Sequence, residues 1–493
     1  MSALRSSMIT KPDPGPNYAK FMQEYTSSKV AGLVAEIKVE VEKHKGDLES
    51  QQTKEPAQIQ SPDYAQVVCK AYEFFPTFKR LFVDLILSYK NQEDSQKYFE
   101  GLQSNDAYKL IKIELSWLYD ILHSKGSVIY AFKHYGWVSR VITLVITTTA
   151  LCLFAVSDHT GYGGFETTLT YVLLGGAVGL AILALVFMLL SFWTYAAMKE
   201  SGGCCGLSER LGGLIKWPSL ISLITYSFQN QPCWWKPIIK CVRFKETWDH
   251  YRYTTCVTVN KDLKNLVFQE LEKKMKNIED IASYRRFTDH KGQWALQRKG
   301  YYQEFGWSVE VEFDESTLLW HIATDLLFHD PGKTNWTCKE RDISQHISNY
   351  MFLFIVRPFM MPAGIGQIRF GDTCAEAGIF LQQESDIEKS NAVKKILDVN
   401  TEYDLALVKG DRSKSVLFNG CRLAHKLKEQ LITTENSEQD WTQLWRLISV
   451  VWVEILCYAA SKCSGQFHAK QLTKRGELLT VIWFLMAHLG MGE

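Results

Sequence analysis

The chain has 493 residues, of which 55 are Lys or Arg and 54 are Asp or Glu, so its formal net charge is only +1. A nucleic-acid-binding domain normally carries a strong basic excess, and this balance therefore argues against nucleic acid as the main partner. The length leaves room for two or three domains and a sizeable core.

The twelve cysteines have no C-x-x-C spacing, which favours reduced thiols in a cytosolic setting over a disulfide framework. Apolar residues recur every three or four positions from Val30 to Val41 and again from Tyr108 to Leu122, a spacing that predicts amphipathic helices. We interpret residues 1–130 as a helical cytosolic segment.

Two uncharged apolar runs follow, and each is long enough to cross a bilayer. Val141 to Val156 carries no charge and, extended back to Gly136, gives about 20 residues, the number that a hydrocarbon core requires. Thr167 to Met198 is longer and also uncharged. A buried soluble helix is the alternative for either run, but two such runs about ten residues apart favour a transmembrane hairpin over residues 131–199.

The charges around these runs predict their orientation. The connection between the runs has Asp158 and Glu166 but no Lys or Arg, whereas Lys and Arg flank the hairpin on both sides. This bias predicts that both termini are cytosolic and that the short connection faces the other side. Gly175 and Gly179 have the G-x-x-x-G spacing that lets helices approach closely, either within the hairpin or in a homo-oligomer formed through these helices.

Residues 200–260 combine aromatic and basic side chains beside the predicted membrane face. This composition suits a segment that lies on anionic lipid, although a core-packing loop with solvated charges explains it equally well. Cys204 and Cys205 are candidates for S-palmitoylation because they lie next to the second span.

The rest of the chain, residues 261–493, reads as a large cytosolic helical domain. Apolar stripes with helical spacing run from Leu263 to Ile278 and from Leu318 to Leu327. Three more apolar stretches contain Arg357, Glu454 and His488, and we interpret them as buried bundle helices rather than membrane spans. Alternation at Val309, Val311 and Phe313 permits one short strand, so the predicted fold is mainly α.

Motifs that carry chemistry are scarce. Gly364-Ile365-Gly366 lacks the third glycine and the Lys-Ser/Thr of phosphate-binding loops, and it reads as a loop between helices. Two Cys and two His residues could together provide the donors of a tetrahedral zinc site, namely Cys421, His425, Cys463 and His468. Packing in the core explains these residues better. His321 and Asp325 share a helix face, and we interpret this pair as structural. The sequence implies no cofactor.

Several motifs are similar to those of one family, above all the C-terminal stretch from Trp452 to Gly490. Earlier motifs are Pro12-Asp13-Pro14-Gly15-Pro16, Leu319-Trp320-His321 and Phe370-Gly371-Asp372-Thr373-Cys374. Together they resemble the plant family of membrane proteins that carries two paired domains of unknown function, numbered forty-two-twenty and five-ninety-four. The resemblance implies a membrane protein with no assigned chemistry. It also implies an N-terminally shortened form, because similar members carry further hydrophobic segments upstream.

These observations lead to a functional hypothesis with two alternatives. The hypothesis is a membrane-anchored scaffold or interaction module, without catalytic activity, whose partners are the lipid bilayer and other proteins. One alternative is a metal-dependent membrane enzyme that uses Cys421, His425, Cys463 and His468. The other is a subunit of a transporter or channel.

Overall fold

The structure is a computed structural model that describes twelve stretches and two single residues of the chain. They are 64–83, 85, 87, 89–123, 135–157, 163–189, 259–277, 288–330, 338–356, 365–381, 389–401, 416–433, 437–472 and 478–491. Every regular element within them is a helix, which confirms the mainly α fold class.

The helices in the first part of the chain are α1 (Tyr64–Phe78), α2 (Tyr89–Glu100), α3 (Ser104–His123), α4 (Tyr135–Val156) and α5 (Gly164–Leu189), with a 3-10 turn at Lys79–Val83. The following ones are α6 (Lys261–Lys276), α7 (Gln293–Lys299), α8 (Tyr302–Phe305), α9 (Trp307–Glu310), α10 (Phe313–Phe328) and α11 (Lys339–Val356). The last are α12 (Ile365–Leu381), α13 (Lys389–Leu397), α14 (Val416–Leu431), α15 (Glu438–Lys462), α16 (Gly465–Leu472) and α17 (Leu478–His488).

The short strand that the sequence permitted at Val309, Val311 and Phe313 does not form, so this interpretation was wrong. Val309 is a buried residue of α9, and Phe313 begins α10, so the apparent alternation spans the junction of two helices. Val311 lies at that junction with an extended backbone, but no partner strand accompanies it in the described part of the chain. An isolated extended residue has no ladder to join, which is why the period-two pattern misled here.

The chain folds as two compact units. The first unit comprises the described residues of Pro76–Tyr108 and Val259–Glu493, and the second comprises those of Pro62–Phe75 and Lys109–Thr258. Helices α1 and α3 each contribute to both units.

The core of the first unit is built around α15. This helix packs against α6, α7, α11, α14 and α17, and Trp441 to Ala460 is buried at most positions. Around this centre, α10 packs on α11 and α14, while α2 packs on α17. Ser437 caps α15 by accepting a hydrogen bond from the Asp440 backbone N–H at 3.2 Å.

In the second unit an aromatic cluster joins α1 to α3. Trp117 is 1% exposed, and its ring lies edge-on to Tyr72 at 5.8 Å and to Phe75 at 5.4 Å. Edge-to-face geometry of this kind stabilises aromatic packing beyond the burial of area. The same unit contains α4 and α5, which pack on each other as a hairpin, with Phe154 of α4 against Tyr171 of α5.

Candidate functional site

Helices α4 and α5 expose apolar side chains along their whole length. The spans Val138–Val156 and Gly164–Val186 are long and apolar enough to cross a membrane, and none of their residues is buried. At helical rise these 19 and 23 residues extend about 28 and 34 Å, which matches a hydrocarbon core of about 30 Å. Side chains such as Val156 (87% exposed) and Phe165 (80%) would be unfavourable in water, whereas lipid accommodates them.

Several hydroxyl groups on these two helices form hydrogen bonds within their own helix. Five threonine hydroxyls donate to a backbone carbonyl one turn earlier, at 2.7 to 2.9 Å, namely those of Thr143, Thr147, Thr148, Thr168 and Thr170. This back-bonding leaves no threonine hydroxyl of that set in need of water, which is the requirement that a hydrocarbon environment imposes.

Gly175 and Gly179 lie on an exposed face of α5. A Cβ atom added at either position would meet nothing within 4 Å, so neither glycine serves a close approach between α4 and α5. Contact with α4 instead involves the opposite side of α5, where half-buried residues such as Leu174 and Ala181 recur. A role for the two glycines in an oligomer stays a prediction.

A third helix, α15, is long and apolar enough to span a membrane but has a different environment. In this helix, 83% of the 18-residue apolar stretch is buried within the protein. Glu454 lies in the middle of it at 2% exposure, and a membrane span would have to carry that carboxylate through lipid. Burial against five other helices therefore assigns α15 to the protein core, as the sequence predicted.

Glu454 connects α15 to the beginning of α7. Its carboxylate accepts hydrogen bonds from the backbone N–H groups of Trp294 (3.2 Å) and Ala295 (2.8 Å), 160 and 159 residues away. These N–H groups belong to the first turn of α7, which has no internal partners for them, and its positive dipole end favours an anion. The Lys274 ammonium lies 3.7 Å from the same carboxylate and His290 Nδ1 lies 4.0 Å away.

A second buried carboxylate, that of Glu270, forms ion pairs with cationic side chains of α6 and α7. It is 5% exposed, accepts a hydrogen bond from Lys273 Nζ at 2.7 Å, and forms a close ion pair with Arg298. The guanidinium of Arg298 lies 4.3 Å from the centroid of the Trp294 ring, and Lys274 Nζ lies 5.6 Å from it. Cation–π contacts thus add to the ion pairs in fixing α6 against α7.

Glu270 and Glu454 both line a small cleft. Lys274, Trp294 and Cys457 also line it, and it has space for about one water molecule. Burial raises the pKa of the Cys457 thiol to about 12, so the thiol stays protonated at neutral pH. A cleft of this size is far smaller than the pockets that hold small-molecule substrates.

The zinc candidates fall into different hydrogen-bond settings, with Cys421 and His425 in one and His468 in another. Cys421 Sγ donates to the Ile396 carbonyl at 3.1 Å and lies 3.7 Å from His425 Nε2. His468 Nε2 donates to the Ala460 carbonyl at 3.2 Å, so its Nδ1 accepts from the Thr480 hydroxyl. Both ring nitrogens of His468 are therefore already used.

Burial raises the pKa of the Cys421 thiol to about 11 and that of the Cys463 thiol to about 12, so both thiols are protonated at neutral pH. Within the described stretches, no group of three or more His, Cys, Asp or Glu residues is arranged to hold a metal ion. The structure pairs Cys421 with His425 but does not bring all four candidates together.

Other polar pairs join helices of the core. His321 Nδ1 and the Ser348 hydroxyl lie 2.8 Å apart, and Asp325 accepts from Gln345 Nε2 at 3.1 Å, so both side chains of the His321–Asp325 pair connect α10 to α11. Each makes its own contact with α11 rather than converging on a common point.

The C-terminal helix α17 contributes a further buried pair. His488 Nδ1 lies 2.8 Å from Ser95 Oγ, and its ring stacks on Phe78 at 3.6 Å. Complete burial holds the pKa of His488 well below its usual value. A serine–histidine pair with no exposed surface has no route to a substrate, and it serves packing.

Sequence reasoning missed the partners of Glu454. A carboxylate in the middle of an apolar run was a usable signal, because a buried charge needs a cation or backbone N–H groups nearby. Lys274 and the first turn of α7 meet that need from distant parts of the chain. The candidates Cys204 and Cys205, the segment 200–258 and the Asn335-Trp336-Thr337 sequon lie outside the described residues.

These features define a class: helical proteins that combine a hairpin suited to lipid with a larger helical unit centred on one buried apolar helix. The domain of unknown function DUF4220 matches residues 1–253, which is half of the chain, and the protein of unknown function DUF594 matches residues 437–491. The chain therefore belongs to the DUF4220 family and carries the paired DUF594 region, which begins at α15. No curated protein and no solved structure matches the chain.

Proposed function

We propose that this is an integral membrane protein, anchored by α4 and α5, whose C-terminal helical unit is a non-catalytic interaction module. One observation carries the membrane assignment: the apolar side chains of both helices are exposed along spans of bilayer length. In water, so much exposed apolar surface would drive aggregation, and lipid removes that cost.

The non-catalytic part of the proposal rests on how the buried polar groups are used. Glu454 and Glu270 accept bonds that hold helices in place, and His468 and His488 are buried between core helices. Each of these ionisable groups thus serves the fold. An interaction role then remains for the surface of this unit.

The orientation follows from the charges at the ends of the hairpin. Arg140 lies at the start of α4 and Lys199 follows α5, while the connection has none. Under the positive-inside rule this arrangement favours two cytosolic termini and a cytosolic C-terminal unit.

Membrane integration is tested by extraction of membranes that contain the full-length protein. At alkaline pH in carbonate, the protein should stay in the pellet, and only detergent should release it. A variant with Leu173→Lys and Leu180→Lys, two exposed positions of α5, should be partly released, because a lysine at the bilayer centre costs about 3 kcal/mol. Complete release of the unsubstituted protein by carbonate would contradict the proposal.

A further inference from the structure

Four cationic side chains from three helices form one surface of the first unit. They are Lys273 of α6, Arg298 and Lys299 of α7, and Arg446 of α15, and all four residues are exposed. We refer to these four as the basic cluster. None of the four belongs to the zinc candidates or to the membrane hairpin, and the sequence pattern did not single out any of them.

Contacts between α6, α7 and α15 explain why these residues come together. Glu270 accepts from Lys273 and pairs with Arg298, which brings the last turn of α6 to the last turn of α7. Helix α7 ends at Lys299, where Gly300 adopts a left-handed conformation (φ 80°) and turns the chain. That turn positions the Tyr301 hydroxyl to accept from Gln443 Nε2 of α15 at 3.1 Å.

Arg446 follows from the same geometry. It lies three residues after Gln443, so both side chains project from the same face of α15. Because Gln443 reaches Tyr301, Arg446 extends from the side of α15 that faces the end of α7, and its charge acts on Lys299. Its side chain is 59% exposed, and its guanidinium lies 3.7 Å from Glu340, a distance longer than that of a hydrogen-bonded ion pair.

The basic cluster is only partly neutralised. Glu270 and Glu340 supply two negative charges against four positive ones, which leaves two positive charges on this surface. Lys299 forms no ion pair within the part of the chain that the structure describes. Partial burial, with Arg298, Arg446 and Lys273 nearby, lowers its pKa, whereas Glu270 acts in the opposite direction.

The surroundings of the cluster favour a phosphate over a protein surface. The large hydrophobic side chains exposed in the described chain lie on α3, α4, α5 and α12 and at Val259, and none lies on α6, α7 or α15. Protein interfaces usually depend on buried aromatic or aliphatic anchors, which this surface does not offer. Phosphate recognition instead needs guanidinium and ammonium donors, and those are what converge here.

We infer that Lys299 and Arg446, supported by Lys273 and Arg298, bind the phosphate of an anionic lipid headgroup. This inference rests on the proposed membrane function, because the anchor keeps the unit close to a bilayer, where headgroup phosphates are the most abundant anions. Lys299 and Arg446 contact the phosphate, and Arg298 and Lys273, already held by Glu270, add positive potential behind them.

The test uses the full-length protein in neutral nanodiscs and measures its affinity for a water-soluble short-chain phosphatidic acid. Short-chain phosphatidylcholine and inorganic phosphate are the comparison ligands. Each cation near an anionic headgroup contributes about a fivefold factor in affinity, so Lys299→Ala with Arg446→Ala should weaken phosphatidic acid binding about 25-fold. The conservative variant Lys299→Arg, with Arg446 unchanged, should keep most of the affinity, because it retains the positive charge.

The matched control is Lys276→Ala with Lys339→Ala. These lysines are 65% and 75% exposed, pair with Glu272 and Asp262, and carry the same total charge, so their loss should leave affinity within about twofold. Equal weakening in both double variants would mean unspecific attraction and would overturn the inference. Tighter binding of inorganic phosphate or of a polyglutamate peptide than of phosphatidic acid would also overturn it.

Failure of this inference is distinguishable from failure of the proposed function. A protein that resists carbonate extraction but does not discriminate phosphatidic acid from phosphatidylcholine retains its membrane assignment and lacks the headgroup site. Both double variants should retain the melting temperature of the unsubstituted protein, since all four substituted side chains are exposed.

Discussion

Gly420 shows how one missing side chain permits close packing between two helices of the first unit. It lies in α14 against α10, and a Cβ atom added there would lie 2.7 Å from Cβ and Cγ2 of Ile322. Real carbon atoms do not approach so closely, so an alanine must push the two helices apart. We therefore expect Gly420→Ala to lower the free energy of unfolding by about 1–3 kcal/mol, measured by thermal or denaturant unfolding of the purified protein.

Gly371 is the matched control for that substitution. It is also a helical glycine, in α12, but a Cβ atom added there would meet nothing within 4 Å. Gly371→Ala should raise stability by roughly 0.5–1 kcal/mol, because alanine has the higher helix propensity. If the two substitutions shift stability in the same direction, the packing explanation for Gly420 fails.

His468 predicts a pH dependence of stability. Burial lowers its pKa to about 4, against a smaller opposing effect of its hydrogen bond to the Ala460 carbonyl. The unfolded chain binds a proton near pH 6.5 and the folded chain does not, so stability is highest above pH 6.5 and falls as pH decreases toward 4. The loss from this residue is on the order of 3 kcal/mol across that window.

The measurement compares melting temperatures at pH 7.5 and pH 5. In His468→Gln the decrease between the two pH values should be smaller than in the unsubstituted protein. His346 is exposed, and His346→Gln should leave the decrease unchanged. An unchanged pH dependence in His468→Gln would show that this histidine is not the group responsible.

At the scale of elements, Glu454 determines how α7 begins. The helix has only seven residues, and Gly292, which precedes it, makes no side-chain cap. The carboxylate of α15 supplies the missing acceptor and pairs with Lys274. Glu454→Ala removes both and leaves a buried ammonium without its nearest anion, so we expect a loss of about 3–5 kcal/mol.

A local readout separates this effect from general destabilisation. The amide protons of Trp294 and Ala295 should lose protection from hydrogen exchange in Glu454→Ala. Glu272 forms an ion pair with Lys276 on the surface of α6, and Glu272→Ala should cost less than about 1 kcal/mol. Retained protection of the two amides in Glu454→Ala would contradict the capping role.

At the scale of the whole molecule, the orientation predicts the state of the Asn335-Trp336-Thr337 sequon, the only N-x-S/T site in the chain. The proposed topology keeps it in the cytosol, away from the glycosylation machinery, so it should be unmodified. Tags at both termini should resist protease in sealed vesicles that expose only the outer face. A mass shift on endoglycosidase treatment, abolished by Asn335→Gln, would refute this orientation.

The parts of the fold that could be predicted are those determined by residues close together in the sequence. The helices α3, α6 and α10 were predictable because each has its own apolar stripe, and Tyr108, Leu271 and Leu326 are buried as that spacing requires. The junction at Val309 and Val311 was not, since a few residues cannot distinguish a strand from two short helices.

The candidate site divides in the same way. The length and apolar character of α4 and α5 are properties of contiguous residues, and the sequence alone determined them. The sequence also indicated that α15 is buried in protein, because its apolar run contains the carboxylate of Glu454. The family membership likewise followed from motifs in contiguous stretches.

Only the tertiary structure decided what surrounds each charge. It paired Glu454 with the N-terminus of a helix about 160 residues away and separated the environment of His468 from the Cys421–His425 pair. It also placed Lys299 where the charge of Arg446 acts on it. A charged residue has the same letter in the sequence whether it ends in a salt bridge, a helix cap or solvent. Its partners come from residues distant in the chain, and their approach depends on how the helices pack, which no local pattern encodes.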